Sequence, residues 1–364
     1  MRVLVVNAGS SSLKVRLLDA ADGLSAELDL PAPEPGGEDA DLVRALAGVG
    51  EVDAVGHRVV HGGERFREAV VVDDAVTEAL GALTELAPLH QPGSLAALEL
   101  AQRALPDVPH VACFDTAFHA TLPPAARTYP LPAAWRERWP LRRYGFHGLS
   151  HAHAARRAAE LLGEEGADAR IVTCHLGAGA SLAAVRAGVS VDTTMGFTPL
   201  EGLVMATRSG SVDPGLVLWL AQRQGVPVAE LAEGLERRSG LTGLAGTGDM
   251  REVLARADDG DEPARLALDV YLHRLRAAIG AMTTALGGLD ALVFTGGVGE
   301  RSAPVRAGTV AGLGFLGLAL DAHRNAAADG DDDLSPPDVP ARVLLVRARE
   351  DLEIARQVRA RLTS

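Results

Sequence analysis

The sequence is nearly without cysteine. Its 364 residues include two, Cys113 and Cys174, each inside an apolar run, with no C-x-x-C or Cys/His metal spacing. A disulfide framework and a zinc centre are therefore excluded as organising features, and two buried thiols are expected. Long apolar runs are missing as well: residues 310–320 carry three glycines and are too short to cross a bilayer. There is no excess of positive charge. The 35 basic residues stand against 48 acidic ones, a net charge of −13, which argues against nucleic acids and anionic membranes as partners. If the substrates are anions, their site must be locally basic. No signal-peptide pattern precedes the first apolar segment, so a cytoplasmic protein in a reducing compartment is expected. A Walker A loop, G-x-x-x-x-G-K-[ST] running into a helix, is absent.

What is present suggests two α/β domains, since the chain is long and 47% of it is hydrophobic. Residues 3–6 predict a buried strand and residues 7–12 a small-residue turn. Leu13, Val15 and Leu17, alternating with Lys14 and Arg16, predict a second strand with one wet face. In that turn backbone N–H groups can approach an anion, and the serine hydroxyls with Lys14 add donors, so it can cradle a phosphate. It reads equally as an ordinary serine-rich hairpin. The layout recurs at residues 170–175, 176–181 and 182–185. A duplicated fold gripping a nucleotide between its halves is expected. A third glycine turn, at residues 296–299, follows a strand predicted at 291–294 and precedes a helix, a setting suited to a nucleoside or its phosphates.

Between these landmarks, residues 31–37 read as a loop and 39–47 as a short helix. A strand at 52–56 leads to Arg58, whose fork can grip a carboxylate or phosphate. A helix over 73–86, a rigid turn over 88–93 and a helix over 94–104 follow. The strand at 108–114 ends on Asp115, which either sits where α/β sheets bind ligands or caps the next helix. Residues 142–151 form a basic, histidine-rich loop before a helix over 151–162, with no third ligand to make His147 and His151 a metal pair. The long polar loops 192–202 and 206–215 read as functional and bring in Arg208, a second anion clamp. A glycine-rich segment, 239–251, feeds a helix, and 262–286 is a long helix. Residues 329–338 read as a solvated acidic loop and 342–346 as the last strand. In the terminal helix, 350–362, the early acids Glu350, Asp351 and Glu353 suit a helix N-terminus or a magnesium ligand.

In order along residues 3 to about 356, the motifs N-A-G-S-S-S-L-K, H-R-V-V-H-G-G, F-D-T-A-F-H, R-Y-G-F-H-G-x-S-H, H-L-G-x-G, D-T-T-M-G-F-T-P-L-E-G-L and F-T-G-G-V-G-E resemble the acetate kinase family. The resemblance implies the duplicated actin-like (ribonuclease H-like) fold shared with actin, sugar kinases and heat-shock chaperones. It implies one domain from residues 1–117 plus 351–364 and a second from 118–350 carrying the nucleotide-binding turns. It also implies reversible in-line transfer of the ATP γ-phosphate to acetate, giving acetyl phosphate and ADP, with Mg²⁺ as cofactor (Mn²⁺ as the alternative ion) and a homodimeric enzyme.

Residue roles follow from the same resemblance. Asn7, Ser10 and Ser12 would face the phosphates and metal, with Lys14 among the ATP contacts. Arg58 and Arg208 would hold the acyl carboxylate and the transferring group, and Asp115 would orient Arg58 or the substrate. His147 would donate to the equatorial oxygens. His175, Leu176, Gly177, Ala178 and Gly179 would meet the outer phosphates. Asp249, Met250, Arg251, Gly296, Gly297, Val298 and Gly299 would border the adenosine. Asn7 and Glu350 would hold the metal, and Val60, Leu89, Phe146 and Pro199 would line the pocket for the acyl methyl. A carboxylate is itself a nucleophile, so the problem is repulsion between two anions, which arginines, a histidine and Mg²⁺ relieve. The chain departs from the family at Ala178 and Arg301, where asparagine is usual, and at Arg349, which brings a positive charge beside Glu350. Residues 25–50 are trimmed. Propionate or butyrate kinase activity is the near alternative. A non-catalytic nucleotide sensor is a further one, against which Arg58, Asp115, His147 and Arg208 together speak.

Overall fold

Period-two burial builds the first sheet. The all-apolar segment becomes β1 (Val3–Ala8), and β2 (Ser12–Leu18) buries Leu13, Val15 and Leu17 while leaving Lys14 exposed. The computed structural model describes residues 1–9, 12–31, 40–87 and 91–363, the side chains of 40–42 excepted. Ser10 and Leu89, two of the expected site residues, lie outside the described residues.

The remaining strands are β3 (Leu24–Pro31), β4 (Ala54–Val59), β5 (Val70–Val71), β6 (His110–Phe114), β7 (Arg170–Leu176), β8 (Ala180–Arg186), β9 (Val189–Thr193), β10 (Ala291–Thr295), β11 (Asp332–Asp333) and β12 (Arg342–Leu345). The first sheet has the order β3-β2-β1-β4-β6-β5 and the second, read from the same edge, β9-β8-β7-β10-β12-β11. The directions repeat strand for strand. The first three strands of each sheet pair antiparallel, the next two additions are parallel, and the last is a two-residue antiparallel edge. This is the duplicated α/β fold that the motifs implied.

The chain divides into one unit of Met1–Ala120, Phe146–His153 and Arg349–Ser364, and a second of Thr121–Gly145 and Ala154–Ala348. Compared with the expected boundaries, the notable difference is Phe146–His153. Gly148 packs so closely that an added Cβ would lie 2.1 Å from the Asp115 carbonyl. Leu149 joins the core of Val3, Val5, Val111, Cys113 and Ile354. The helix Gly148–Leu162 thus starts in the first unit and continues in the second. The other face of the first sheet packs Leu4, Val6, Leu13 and Val15 on Leu46, Ala97 and Leu100. In the second unit the helix Glu262–Leu286 starts at the Asp261 cap, ends at Gly287 in the left-handed conformation, and buries Tyr271, Leu275, Ile279, Met282 and Leu286. Both cysteines are free and buried. Among the described residues no helix is long and apolar enough to cross a membrane.

Several expectations are corrected. Pro31 closes β3, an edge strand that lays Ala26, Leu28 and Leu30, partly buried, on the core of the first sheet. The helix placed at 94–104 begins at Gln91, and the one placed at 151–162 begins at Gly148. Asp192 and Thr193 end β9 rather than open a loop. The third glycine segment is itself helical, the first turn of Gly296–Arg301, and the expected helix, Ala303–Ala311, follows it. The acidic loop is not merely solvated. Asp331 pairs with Arg157 at 2.7 Å, Asp329 with Arg347 at 2.6 Å, and Asp333 with Arg342.

Candidate active site

In the first unit, three strand ends and the start of the last helix converge on one network. Arg58, at the end of β4, grips Asp115 just past β6 through Nε to Oδ1 at 3.1 Å and Nη2 to Oδ2 at 2.7 Å. Its Nη1 donates to Asn7 Oδ1 at 3.3 Å. Asn7, at the end of β1, donates from Nδ2 to Glu350 Oε2 at 2.8 Å, and Arg58 Nε lies 3.9 Å from the same oxygen. Burial opposes the Arg58 charge, but the Asp115 and Glu350 carboxylates outweigh it and raise its pKa. Burial pushes the Asp115 carboxyl up, and the Arg58 guanidinium pulls it back. The Asp115 carboxylate is thus committed to Arg58, and its backbone carbonyl accepts from Gly148 N–H at 2.8 Å.

The chain leaves this point through His147, which holds a left-handed backbone (φ +57°) that a histidine adopts at some cost. Phe146 and Val60 are buried. His61, next to Val60, packs edge-on against Phe146 at 5.5 Å. Lys14, the chain's one lysine, stands directly opposite Asn7 in the β1–β2 register and so on its face. The Ser12 carbonyl accepts the Gly9 N–H at 2.8 Å, closing the hairpin. The charge introduced at Arg349 is directed to Asp351, which accepts from its Nε at 2.9 Å and its Nη2 at 2.8 Å.

In the second unit the donors are mostly backbone. Past His175 and Leu176, Gly177 N–H donates to the Gly179 carbonyl at 2.9 Å. The carbonyl of Ala178 accepts from Ala206 N–H at 3.1 Å, which hangs the Arg208 segment beside this turn. Arg208 Nη1 donates to the Pro199 carbonyl at 2.8 Å and lies 3.6 Å from Met205 Sδ. Burial pushes its pKa down, and Glu236 acts against this only through space. Gly296 (φ +78°) must be glycine, since a Cβ would meet the Leu176 carbonyl at 2.8 Å. Gly297, Val298 and Gly299 complete that turn. Asp249 caps the next helix through Arg251 N–H at 2.9 Å and also pairs with the exposed Arg251 side chain, which holds its carboxyl down at about 2. Met250 is buried.

The structure therefore joins Asn7, Arg58, Asp115 and Glu350 by hydrogen bonds, and in the second unit joins the 177–179 turn, Pro199, Arg208 and Gly296 to one another's segments. Asp249 and Arg251 bond to each other instead. Residue-by-residue reading missed the group that holds the Pro199 loop. Arg143 donates to Glu201 at 2.7 Å and to the Thr194 and Met195 carbonyls, while the Tyr129 hydroxyl bonds Glu201 and accepts from Phe197 N–H at 2.9 Å. The signal was available, because Arg143 and Glu201 lie inside two of the motifs quoted above. As a magnesium site the donor set is spare. Among the described residues no three His, Cys, Asp or Glu side chains cluster to hold a metal. Glu350 supplies one carboxylate. The Asn7 amide beside it, which here turns its nitrogen to Glu350 and its oxygen to Arg58, would supply a neutral oxygen on rotation. That set fits an ion binding through one or two carboxylates plus substrate phosphates.

A family model described as "Acetokinase family" matches residues 42–356. A protein named acetate kinase from Leifsonia xyli subsp. xyli is 49% identical over 386 residues, covering 98% of this chain and 97% of its own. Among solved structures, Porphyromonas gingivalis acetate kinase superposes with a TM-score of 0.90 at 34% identity, covering 99% of both chains. A propionate kinase from Francisella tularensis superposes with a TM-score of 0.89 at 33% identity, covering 98% of both chains.

Proposed function

The chain belongs to the acetokinase family, and from that premise we propose that it transfers the γ-phosphate of ATP to the carboxylate of acetate, reversibly, giving acetyl phosphate and ADP. The observation that supports this best is the Arg58 fork, held by Asp115 and flanked by Asn7 and Glu350. Asp115 fixes Arg58 in one orientation before substrate arrives, so no reorganisation is needed during reaction. Arg58 then offers Nη1, whose bond to Asn7 is long, to the acyl or phosphoryl oxygens. Arg208 has a carbonyl rather than a carboxylate on its fork and so brings a charge not neutralised by contact. His147 donates a hydrogen bond to the equatorial oxygens in the transition state.

Glu350 with Asn7 would hold Mg²⁺, whose chemistry is to neutralise phosphate charge. The serine turn containing Ser10 and Ser12, with Lys14, takes the phosphates on the first unit. His175, Leu176, Gly177, Ala178 and Gly179 do so on the second. Asp249, Met250, Arg251, Gly296, Gly297, Val298 and Gly299 border the adenosine. Val60, Leu89, Phe146 and Pro199 receive the methyl group. The enzyme acts in the cytoplasm as a homodimer. Two buried thiols suit a reducing compartment. The helix Pro214–Arg223 leaves Leu216, Leu218 and Trp219 half exposed, a face a second copy would cover.

A hydroxamate trap for acyl phosphate, run with ATP, Mg²⁺ and acetate, tests the reading, and no product with acetate, propionate or butyrate overturns it. The propionate kinase among the structural relatives makes propionate the second reading. One added methylene separates the acids only weakly, so turnover of both, with acetate preferred, is the expected result.

A further inference from the structure

Beyond β10 the second unit meets the problem that the first meets beyond β4. In the first unit the β4–β6 ladder ends with Asp115 N–H donating to the Val59 carbonyl at 3.0 Å, and the next donor, His61 N–H, goes to Gln91 Oε1 at 3.1 Å. In the second unit Val346 N–H donates to the Phe294 carbonyl at 3.0 Å, and there the strands part, because the chain turns at Gly296 into the helix Gly296–Arg301. Two backbone donors are left without a rung. One side-chain oxygen takes both: Glu300 Oε1 accepts from Gly296 N–H at 3.0 Å and from Ala348 N–H at 2.9 Å.

Glu300 is itself held. Arg306, 2% exposed, donates from Nη1 to the carbonyls of Gly299 at 2.8 Å and Glu300 at 2.7 Å. It also donates to Asn325, reaching Oδ1 at 2.7 Å and the carbonyl at 2.8 Å. All four acceptors are neutral, so carbonyl dipoles rather than an ion pair compensate the buried guanidinium. A buried network of this kind selects one geometry. Ala348 is the last residue of the second unit before the chain passes to Arg349 and Glu350.

We propose that Glu300 is a positioning residue for the nucleotide: it splices the parted ends of β10 and β12 and so fixes the 296–299 turn and the point from which the chain leaves towards Glu350. The inference rests on the reading above that this turn borders the adenosine. A glutamine at 300 can still offer one oxygen to both donors, an aspartate falls one methylene short of them, and an alanine offers none.

Glu300→Ala in the full-length chain raises the KM for ATP about tenfold, the effect of stripping a charged acceptor from two backbone donors. The KM for acetate stays within about twofold, and Glu300→Gln restores the KM for ATP to near the parent value. Glu300→Asp, which keeps the charge, gives the same split in gentler form where the alanine variant does not fold. In the ligand-free protein, hydrogen–deuterium exchange over residues 295–300 and 346–350 speeds up in Glu300→Ala and not in Glu300→Gln. An unchanged KM for ATP overturns the proposal. So does a parallel rise in both KM values with a lowered Tm, or unchanged exchange in those two segments. The exchange measurement needs neither substrate, and acetyl phosphate formation by the parent enzyme is scored separately, so a failed splice and a failed reading of the function are told apart.

Discussion

The two units share a strand order but finish the carboxyl ends of their sheets in opposite ways. In the first, side-chain charges meet: Arg58 between Asp115 and Glu350, with Asn7 bridging. In the second, the same topological place holds glycine turns and backbone donors, with Glu300 spent on internal repair and Arg208 resting on a carbonyl. Duplication has preserved where a ligand would be met and let the means diverge. A compact, highly charged group needs point charges fixed in advance. A nucleoside with its phosphates needs room, which small residues supply, and amide donors, which survive the change to Ala178.

The contrast is sharpest between the two arginines. Arg58→Ala leaves Asp115 buried without its partner, so urea unfolding should show a loss of about 3–5 kcal/mol along with loss of activity. Arg208→Ala strands no buried carboxylate. Its kcat should fall about 100-fold, on the order of 3 kcal/mol of transition-state stabilisation, with unfolding shifted by only about 1 kcal/mol, the cost of leaving the Pro199 carbonyl without its donor. Equal destabilisation by both changes would break the distinction.

Acid should find the first unit before the second. His57, His61 and His110 all lie in it, and burial pushes each pKa below the ordinary value, His61 to about 4. His57 and His110 share a hydrogen bond of 2.8 Å deep in the sheet. Because the unfolded chain takes up these protons first, the stability they support is complete above about pH 6.5 and drains as pH falls towards the folded values. His61 alone accounts for about 1 kcal/mol between pH 7.5 and 5.5. Unfolding at the two pH values checks this, and exchange data showing the second unit opening first at pH 5.5 would contradict it. The smallest effect concerns substrate size. Val60→Ala should raise the propionate-to-acetate ratio of kcat/KM by no more than about tenfold, since one methylene in an apolar pocket discriminates by only about 1–3 kcal/mol.

Much of this was legible in the chain. The helix Glu262–Leu286 announces itself by the Asp261 cap, the periodic face and the closing Gly287. The buried strands and the repeated strand–turn–strand layout were equally plain. The edges were not. β3 alternates Ala26, Leu28 and Leu30 with Glu27 and Asp29 but buries none of them completely, and β5 and β11 are two residues long, too short for a period to show. In the site, motif order singled out Arg58 and Asp115, and the acidic start of the last helix pointed to Glu350, but nothing local says that an arginine at 58 meets a carboxylate 57 positions on. Glu300 and Arg306 escaped for a related reason. Their partners are backbone atoms freed where two strands diverge, and a sequence carries no mark of an unpaired amide.

Lys14 has a practical consequence. It is the chain's one lysine, it is exposed on the strand facing Asn7, and both thiols are buried. Apart from the N-terminal amine, an amine-directed reagent has a single address in the whole molecule, beside the Asn7–Glu350 pair. A fluorophore or crosslinker placed there reports from one point, and its rate of attachment with and without ATP turns that point into a gauge of occupancy.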